Sequence, residues 1–148
     1  MDDVIEEIKQ LFTRSVGLPV TRIEKLPQSG SDRIYFRVFA ENKSHIATYG
    51  RNVKENKTFL YFSKHFRAAG CPVPGIVGVN EANTIYIQED FGNVSLLNKL
   101  DELGQNEEVY ALFGAALRQL AHLQIMGHKA LDYSQCITSR EFGKQAIL

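Results

Sequence analysis

A short polar loop between two apolar runs contains residues that could bind a phosphate group. It reads Ser29-Gly30-Ser31-Asp32 and is followed by Arg33. Gly30 allows a positive φ and a close approach of the backbone to a ligand, and successive N–H groups beside two serine hydroxyls suit phosphate oxygens. The same letters suit a plain turn in which Asp32 hydrogen-bonds its own backbone. The loop therefore indicates either a phosphate-binding hairpin or a simple reversal of the chain.

The segments around this loop must position it, and their patterns predict a five-stranded antiparallel sheet with one inserted helix. Short links join the first three strands, which makes a meander the economical topology, and a second hairpin follows the helix. The predicted strands are residues 20–25, 34–39, 45–49, 76–79 and 84–88, and the predicted helix is residues 54–69. Residues 41–44 are predicted to form the turn between the second and third strands.

Helical patterns precede and follow the sheet. Apolar residues recur at helical spacing from Val4 to Phe12, and Gly17 can end that helix. Downstream, Ser95 and Asn106 can each cap a helix, and the second of these helices has an apolar stripe between residues 109 and 123. The sequence therefore predicts an α+β protein. Its expected parts are an N-terminal helix (1–18), a nucleotide-binding part (19–90) and the start of a helical part that continues in a longer protein (91–148).

The composition is that of a globular protein without net charge. Of the 148 residues 44% are hydrophobic, with 17 basic and 17 acidic side chains. Balanced charge argues against nucleic acid and anionic membranes as partners, and no apolar run approaches the ~20 residues of a membrane span. The acidic, amphipathic start is unlike a signal peptide. Cys71 and Cys136 stand far apart, which favours reduced thiols in a cytoplasmic protein.

Three stretches taken together resemble the aminoglycoside-phosphotransferase-like family of kinase-like proteins. They are LPQSGSDRIYFRV, VKENKTFLYFSKHFRAAGCPVPGI and IYIQEDFGNVSLLNKL. Their order is similar to that of a kinase-like N-terminal lobe: glycine-containing hairpin, third strand, helix with an early glutamate, two strands, hinge and helices. More narrowly, they are similar to bacterial kinases of amino sugars such as N-acetylmuramate and N-acetylglucosamine. The resemblance implies transfer of the γ-phosphoryl group of ATP to a sugar or amino-sugar hydroxyl, with aminoglycosides as a further acceptor class.

The resemblance also implies roles for individual residues. The loop at residues 29–33 would cover the triphosphate, and Glu55 would orient a phosphate-binding cation. Gln88, Glu89 and Asp90 would line the hinge that meets the adenine edge. Glu55 is equally suited to a simpler role, as a first-turn acid that compensates the helix dipole.

One element of the family pattern, the lysine of the third strand, is missing. That lysine pairs with the phosphates and with the helix glutamate, but residues 45–49 contain none. Arg33 is our first choice for the replacement because it leaves the loop itself, and Arg37 is the second choice. Arg51 and Lys54 are further candidates.

The catalytic elements of the family are missing as well. The family places its acceptor-orienting Asp and its Mg²⁺ ligands in a C-terminal lobe, and no HxD-type loop with an Asn five residues on occurs here. Asp90-Phe91-Gly92 has the letters of the protein-kinase metal motif, but it directly follows the fifth strand, so we interpret it as part of the hinge.

These observations lead to one expected function and one alternative. We expect ATP and a small-molecule acceptor as ligands, Mg²⁺ held by residues further along the parent protein, and no turnover by this chain alone. Association through exposed helix faces is a further expectation. The alternative is a non-catalytic kinase-like module for binding other proteins, which the missing strand lysine would allow.

Overall fold

The computed structural model describes residues 1–28 and 30–137, and within them the fold is α+β. The elements in chain order are α1 (Asp2–Val16), β1 (Arg22–Lys25), β2 (Ile34–Ala40), β3 (Lys43–Tyr49), α2 (Val53–Ala68), β4 (Ile76–Val79), β5 (Ile85–Glu89), α3 (Leu96–Leu103), α4 (Glu107–Met126) and a short 3-10 turn (Tyr133–Gln135). The prediction of an α+β protein with five strands and an inserted helix is confirmed. Within the described ranges, no helix has the length and apolarity needed to cross a membrane.

The five strands form one antiparallel sheet in the order β1-β2-β3-β5-β4. The first three strands make the predicted meander, and β4 and β5 make the predicted second hairpin. The meander and the hairpin join where β3 pairs with β5, with Tyr49 opposite Ile85 and His45 opposite Glu89. The polar end of β5 therefore lies beside the start of β3, so that Asp90, which follows β5, is close to Ser44 of β3.

The turn between β2 and β3 is shorter than predicted. We assigned it residues 41–44, but Ala40 pairs directly with Lys43, which leaves Glu41 and Asn42 as a two-residue turn. Glu41 has a φ of 50°, as the central residues of tight hairpin turns often do. The third strand therefore does contain a lysine, Lys43, but this residue is exposed at the outer end of the strand.

One face of the sheet packs against α1. The helix buries three apolar side chains, Ile8, Leu11 and Phe12, against inward-facing residues of β2, β3 and β5. Burying each large side chain stabilises the fold by about 1.5–3 kcal/mol. Gly17 ends the helix in the left-handed conformation, with φ 77°. His45 lies half-buried at the edge of this core, where its ring meets Phe12 edge-on with the ring centroids 5.3 Å apart.

The opposite face of the sheet is more polar, and Phe59 of α2 packs against it. Phe59 of the helix stacks on the buried Tyr86 of β5, with the ring centroids 5.1 Å apart. Because paired residues point to the same side of a sheet, the strand register places Tyr35, Arg37 and Gln88 on this face together with Tyr86. Burial raises the pKa of the Tyr86 hydroxyl.

The described chain divides into two compact units. The first contains the sheet and comprises Met1–Lys64, Pro74–Asp90 and residues 132–137 of the described chain; the second comprises His65–Val73 and Phe91–Leu131. One division follows Asp90, and another runs through α2, which the sequence did not indicate. Ser29 and the final run at 139–148, where we predicted the start of another helix, lie outside the described residues.

The second unit contains α3 and α4, and both predicted caps are present. Ser95 and Asn98 form a reciprocal capping box at the start of α3. At the start of α4, the N–H of Val109 donates to Asn106 Oδ1 at 2.9 Å. Of the apolar stripe predicted on α4, Val109 is buried, whereas Leu117 and Leu120 are more than half exposed.

Candidate functional site

A cleft of about 760 Å³ opens where the loop before β2, the end of β3 and the first turn of α2 meet. All of these segments belong to the sheet-containing unit. The lining residues are Gln28, Gly30, Ser31, Asp32, Arg33, Ile34, Tyr49, Gly50, Arg51, Asn52, Glu55 and Asn56. The cleft therefore brings the predicted phosphate loop together with the predicted helix glutamate.

Local hydrogen bonds hold the loop in shape. Gly30 has a φ of 58°, and a β-carbon there would meet no atom within 4 Å. The N–H of Arg33 donates to Ser31 Oγ at 3.2 Å, and Gln28 Nε2 donates to the Ser31 carbonyl at 2.9 Å. The Ser31 hydroxyl thus supports the turn through its lone pair, while its own proton can still be donated to a ligand.

The side chain of Arg33 forms an ion pair with Glu55 on the wall of the cleft. Arg33 Nη2 lies 2.8 Å from Glu55 Oε1, and the two side chains are 14% and 37% exposed. The guanidinium also lies over the ring of Phe59, with Cζ 5.3 Å from the ring centroid. Arg33 Nε is buried and has no hydrogen-bond partner within the described part of the chain. The carboxylate and the ring therefore hold the guanidinium in a defined position on the wall of the cleft.

The first turn of α2 is held by two asparagines that the sequence did not single out. Asn52 Oδ1 accepts the N–H of Glu55 at 3.1 Å, as a helix cap does. Asn56 is fully buried and donates from Nδ2 to the carbonyls of Gly50, at 2.7 Å, and Asn83, at 2.8 Å. These bonds fix the floor of the cleft. An asparagine that follows a charged residue in the first turn of a helix is typical of the surface. No signal in the sequence therefore indicated that Asn56 is buried and fixes the floor of the cleft.

A second polar cluster lies at the end of β5, where we predicted the hinge. Asp90 accepts from Arg37 Nε at 2.6 Å and from Arg37 Nη2 at 3.1 Å. Ser44 Oγ donates to the same carboxylate at 2.8 Å. The side chain of Asp90 is 4% exposed and that of Arg37 is 11% exposed, so the ion pair is buried.

The neighbours of Asp90 are also held by side-chain and backbone contacts. Glu89 is the last residue of β5 rather than a loop residue, and its N–H donates to the Gly75 carbonyl at 3.0 Å. The N–H of Gly75 donates in return to Glu89 Oε2 at 2.9 Å. Gln88 is half-buried, and its Oε1 has no hydrogen-bond partner among the residues that the structure describes.

The predicted site residues therefore fall into two groups. Gly30, Ser31, Asp32, Arg33 and Glu55 line one cleft, whereas Gln88, Glu89 and Asp90 lie outside its lining, at the end of β5. Ser29 lies outside the described residues. Arg37, our second choice for the phosphate-binding cation, is bound to Asp90 and does not line the cleft.

A scan against protein-family models found no family that matches this sequence. A search of curated proteins also found no match. Within residues 1–28 and 30–137, no three His, Cys, Asp or Glu side chains are grouped so that they could hold a metal ion.

Proposed function

We propose that this chain is the ATP-binding part of a small-molecule phosphotransferase with a kinase-like N-terminal lobe. Its parent would transfer the γ-phosphoryl group of ATP to a hydroxyl of a sugar or amino sugar, of the N-acetylmuramate, N-acetylglucosamine or aminoglycoside class. The observation that supports this most directly is the ion pair between Arg33 and Glu55, which lies beside a glycine-containing loop in a cleft of about 760 Å³.

The ion pair suits phosphate binding for an electrostatic reason. Phosphoryl transfer depends mainly on positioning the phosphates and neutralising their charge. In kinases a strand lysine held by a helix glutamate supplies one such positive charge. Here Glu55 holds an arginine instead, and a guanidinium can contact two phosphate oxygens at once through its planar donors. Arg33 can therefore supply the charge that a strand lysine would.

The loop supplies neutral donors for the same ligand. Successive backbone N–H groups in a turn can form a concavity that binds anions, and Gly30, with a φ of 58°, has the left-handed conformation that such turns use. The proton of the Ser31 hydroxyl adds one more donor beside Arg33. The N-terminus of α2, which opens on the same cleft at Asn52, contributes a partial positive charge.

The proposal includes Mg²⁺ only as a companion of ATP. The described residues do not group three metal-ligating carboxylate, histidine or cysteine side chains. Asp90, the residue that the kinase-like letters would suggest, is already bound by Arg37 and Ser44. The residues that the structure describes therefore do not fit a protein-held Mg²⁺ site.

The test is a titration of the 148-residue chain with ATP, followed through backbone amide chemical shifts. We expect ATP at millimolar concentration to shift the amides of Gly30, Ser31 and Arg33, with adenosine as the comparison that lacks phosphates. Arg33→Met should abolish these shifts, whereas Arg51→Met, which changes an exposed arginine of the same cleft, should largely preserve them.

Two results would count against the proposal. One is the absence of any shift at millimolar ATP, which would favour the alternative of a non-catalytic module that binds other proteins. The other is a set of shifts confined to residues outside the cleft, which would place the nucleotide elsewhere on the chain.

A further inference from the structure

The carboxylate of Asp90 connects three strands of the sheet. Asp90 directly follows β5, Ser44 lies in β3 and Arg37 lies in β2, and the sheet order is β2-β3-β5. The side chain of Asp90 therefore reaches across β3 to the arginine of the strand beyond. Two guanidinium nitrogens and one hydroxyl, at 2.6, 3.1 and 2.8 Å, bind the two carboxylate oxygens.

The end of β5 is held from the opposite side as well. Glu89 exchanges two hydrogen bonds with Gly75, one through its backbone and one through its carboxylate. Two consecutive residues are thus fixed by opposite flanks of the sheet. The segment that follows is different, because residues 91–95 are exposed.

Stability alone does not explain why this ion pair is buried. Removing two charges from water carries a desolvation penalty that their attraction often fails to recover, and an apolar pair of similar size is frequently as stable or more so. What a buried, bidentate pair supplies is one defined geometry, since the planar fork of an arginine fits a carboxylate in few orientations. The feature that this geometry defines is the backbone position at the end of β5.

We propose that Arg37, through Asp90, is a positioning residue for the nucleobase end of the ATP site. This inference rests on the function proposed above. Arg37 would not touch the nucleotide; it would fix the backbone at the end of β5, where the predicted hinge begins, and backbone groups of that hinge would recognise the edge of the base. The direction of β2 supports this arrangement. Arg33 directly precedes β2 and lies over Phe59, and Arg37 of β2 is on the face of the sheet that Phe59 packs against. They are four residues apart in sequence, which is about 13 Å at ~3.3 Å per residue. That separation is comparable to the length of an extended nucleoside triphosphate.

The experiment compares two ligands that share phosphates but not a base: ATP and inorganic tripolyphosphate. Binding of each to the 148-residue chain is measured by calorimetry. Arg37→Met alone leaves a buried carboxylate unpaired and can unfold the chain, so the main variant is the double change Arg37→Met with Asp90→Asn, which removes both charges. The matched control is Arg22→Met, since Arg22 is an exposed arginine of the neighbouring strand that pairs with Glu24.

We expect the double variant to melt within a few degrees of the control. Its Kd for ATP should rise at least tenfold, while its Kd for tripolyphosphate should stay within twofold of the control. Arg33→Met should instead weaken both ligands, because it removes a phosphate contact. This contrast separates positioning of the base end from a general loss of structure.

The remaining outcomes each decide a different question. Equal ATP affinity in the double variant and in Arg22→Met would overturn the role of Arg37 and leave the proposed function standing. Equal weakening of ATP and tripolyphosphate by the double variant, or its failure to fold, would overturn the positioning role in favour of a structural one. No binding of either ligand by the unchanged protein would overturn the proposed function, and this inference with it.

Discussion

The guanidinium of Arg33 and the carboxylate of Glu55 meet at 2.8 Å across the candidate phosphate cleft. The two residues come from different elements, the loop before β2 and the first turn of α2. The third strand, β3, contains one lysine, Lys43, which is exposed at the end of the strand away from the cleft. The loop arginine therefore places in the cleft the positive charge that the third strand does not supply there.

Replacing Arg33 should weaken nucleotide binding more than replacing any other cation of the cleft. Loss of one charge-assisted phosphate contact costs about 1.5–3 kcal/mol, which corresponds to a rise in Kd of roughly 10- to 150-fold. We therefore expect Arg33→Met to raise the Kd for ATP by that factor in calorimetry, and Arg33→Lys to recover part of the loss. Arg51→Met is the control, and an Arg33→Met variant with unchanged affinity for ATP would move the assignment to Arg37 or Lys54.

Gly50 should tolerate no larger residue, because the floor of the cleft is closely packed there. A β-carbon at residue 50 would stand 2.7 Å from Asn56 Oδ1, and the buried side chain of Asn56 is held in place by two hydrogen bonds. Overpacking of this kind costs about 1–3 kcal/mol. We expect Gly50→Ala to lower the free energy of unfolding by that amount, measured by urea denaturation.

Gly114 in α4 offers a contrasting control for the same substitution. The nearest atom to an added β-carbon there is Arg118 Nη1 at 3.5 Å, the far end of a flexible side chain. Replacing a helical glycine by alanine gains about 0.8–1 kcal/mol, so Gly114→Ala should stabilise the chain. If Gly50→Ala were as well tolerated as Gly114→Ala, the close packing around Asn56 would be contradicted.

Protonation of His45 should destabilise the folded chain in mild acid. Burial and the nearby charge of Lys43 lower the pKa of His45 from its usual 6.5, while Asp90 and Glu89 act in the opposite direction. Because the folded state then binds the proton less readily than the unfolded state, stability is retained above about pH 6.5 and lost as the pH falls through the lowered pKa. We expect His45→Gln to reduce the loss of stability between pH 7 and pH 5, measured by urea midpoints. The exposed His128→Gln is the control, and equal acid sensitivity of the two variants would contradict the prediction.

Much of the fold was predictable because its boundaries are set locally. Gly17 ends α1 in the left-handed conformation, as its position predicted, and Ser95 and Asn106 cap the helices for which they were proposed. Each of these signals acts within a few residues of the boundary that it sets. The turn at Glu41 was placed in the right segment but made two residues too long, because polar letters alone do not fix a turn length.

The long-range pairs were not predictable in the same way. Arg37 and Asp90 are 53 residues apart, and their meeting depends on β5 inserting beside β3 rather than on any local pattern. The same holds for Asn56, whose amide reaches a carbonyl 27 residues away. Arg33 was identified in advance only because it adjoins the loop. The resemblance had assigned Glu55 the role of orienting that cation, and the structure shows the two side chains paired.

The last prediction concerns catalysis by this chain alone. Phosphoryl transfer needs an Asp to orient the acceptor hydroxyl and further ligands to hold the metal on the phosphates, and the sequence contains no loop of the family's kind to provide them. Asp90, with Phe91 and Gly92, has the sequence of the kinase metal motif. Its carboxylate, however, is buried and bound by the positively charged guanidinium of Arg37. A positive charge at this distance disfavours a metal cation at the same oxygens. We therefore expect background rates of ADP release with N-acetylglucosamine, N-acetylmuramate or an aminoglycoside, in excess ATP and Mg²⁺.

The assay needs a check that the chain is folded and binds nucleotide, and the amide shifts of Gly30 and Arg33 on addition of ATP provide it. A paramagnetic ion tests separately whether Asp90 binds a metal. Mn²⁺ without nucleotide should not broaden the amide signals of Asp90, Phe91 and Gly92, because the guanidinium of Arg37 is already bound to the carboxylate of Asp90. Turnover that depends on the acceptor and is lost in Asp90→Asn would contradict the prediction. So would selective broadening at Asp90, and either result would mean that the carboxylate leaves Arg37 to bind a metal.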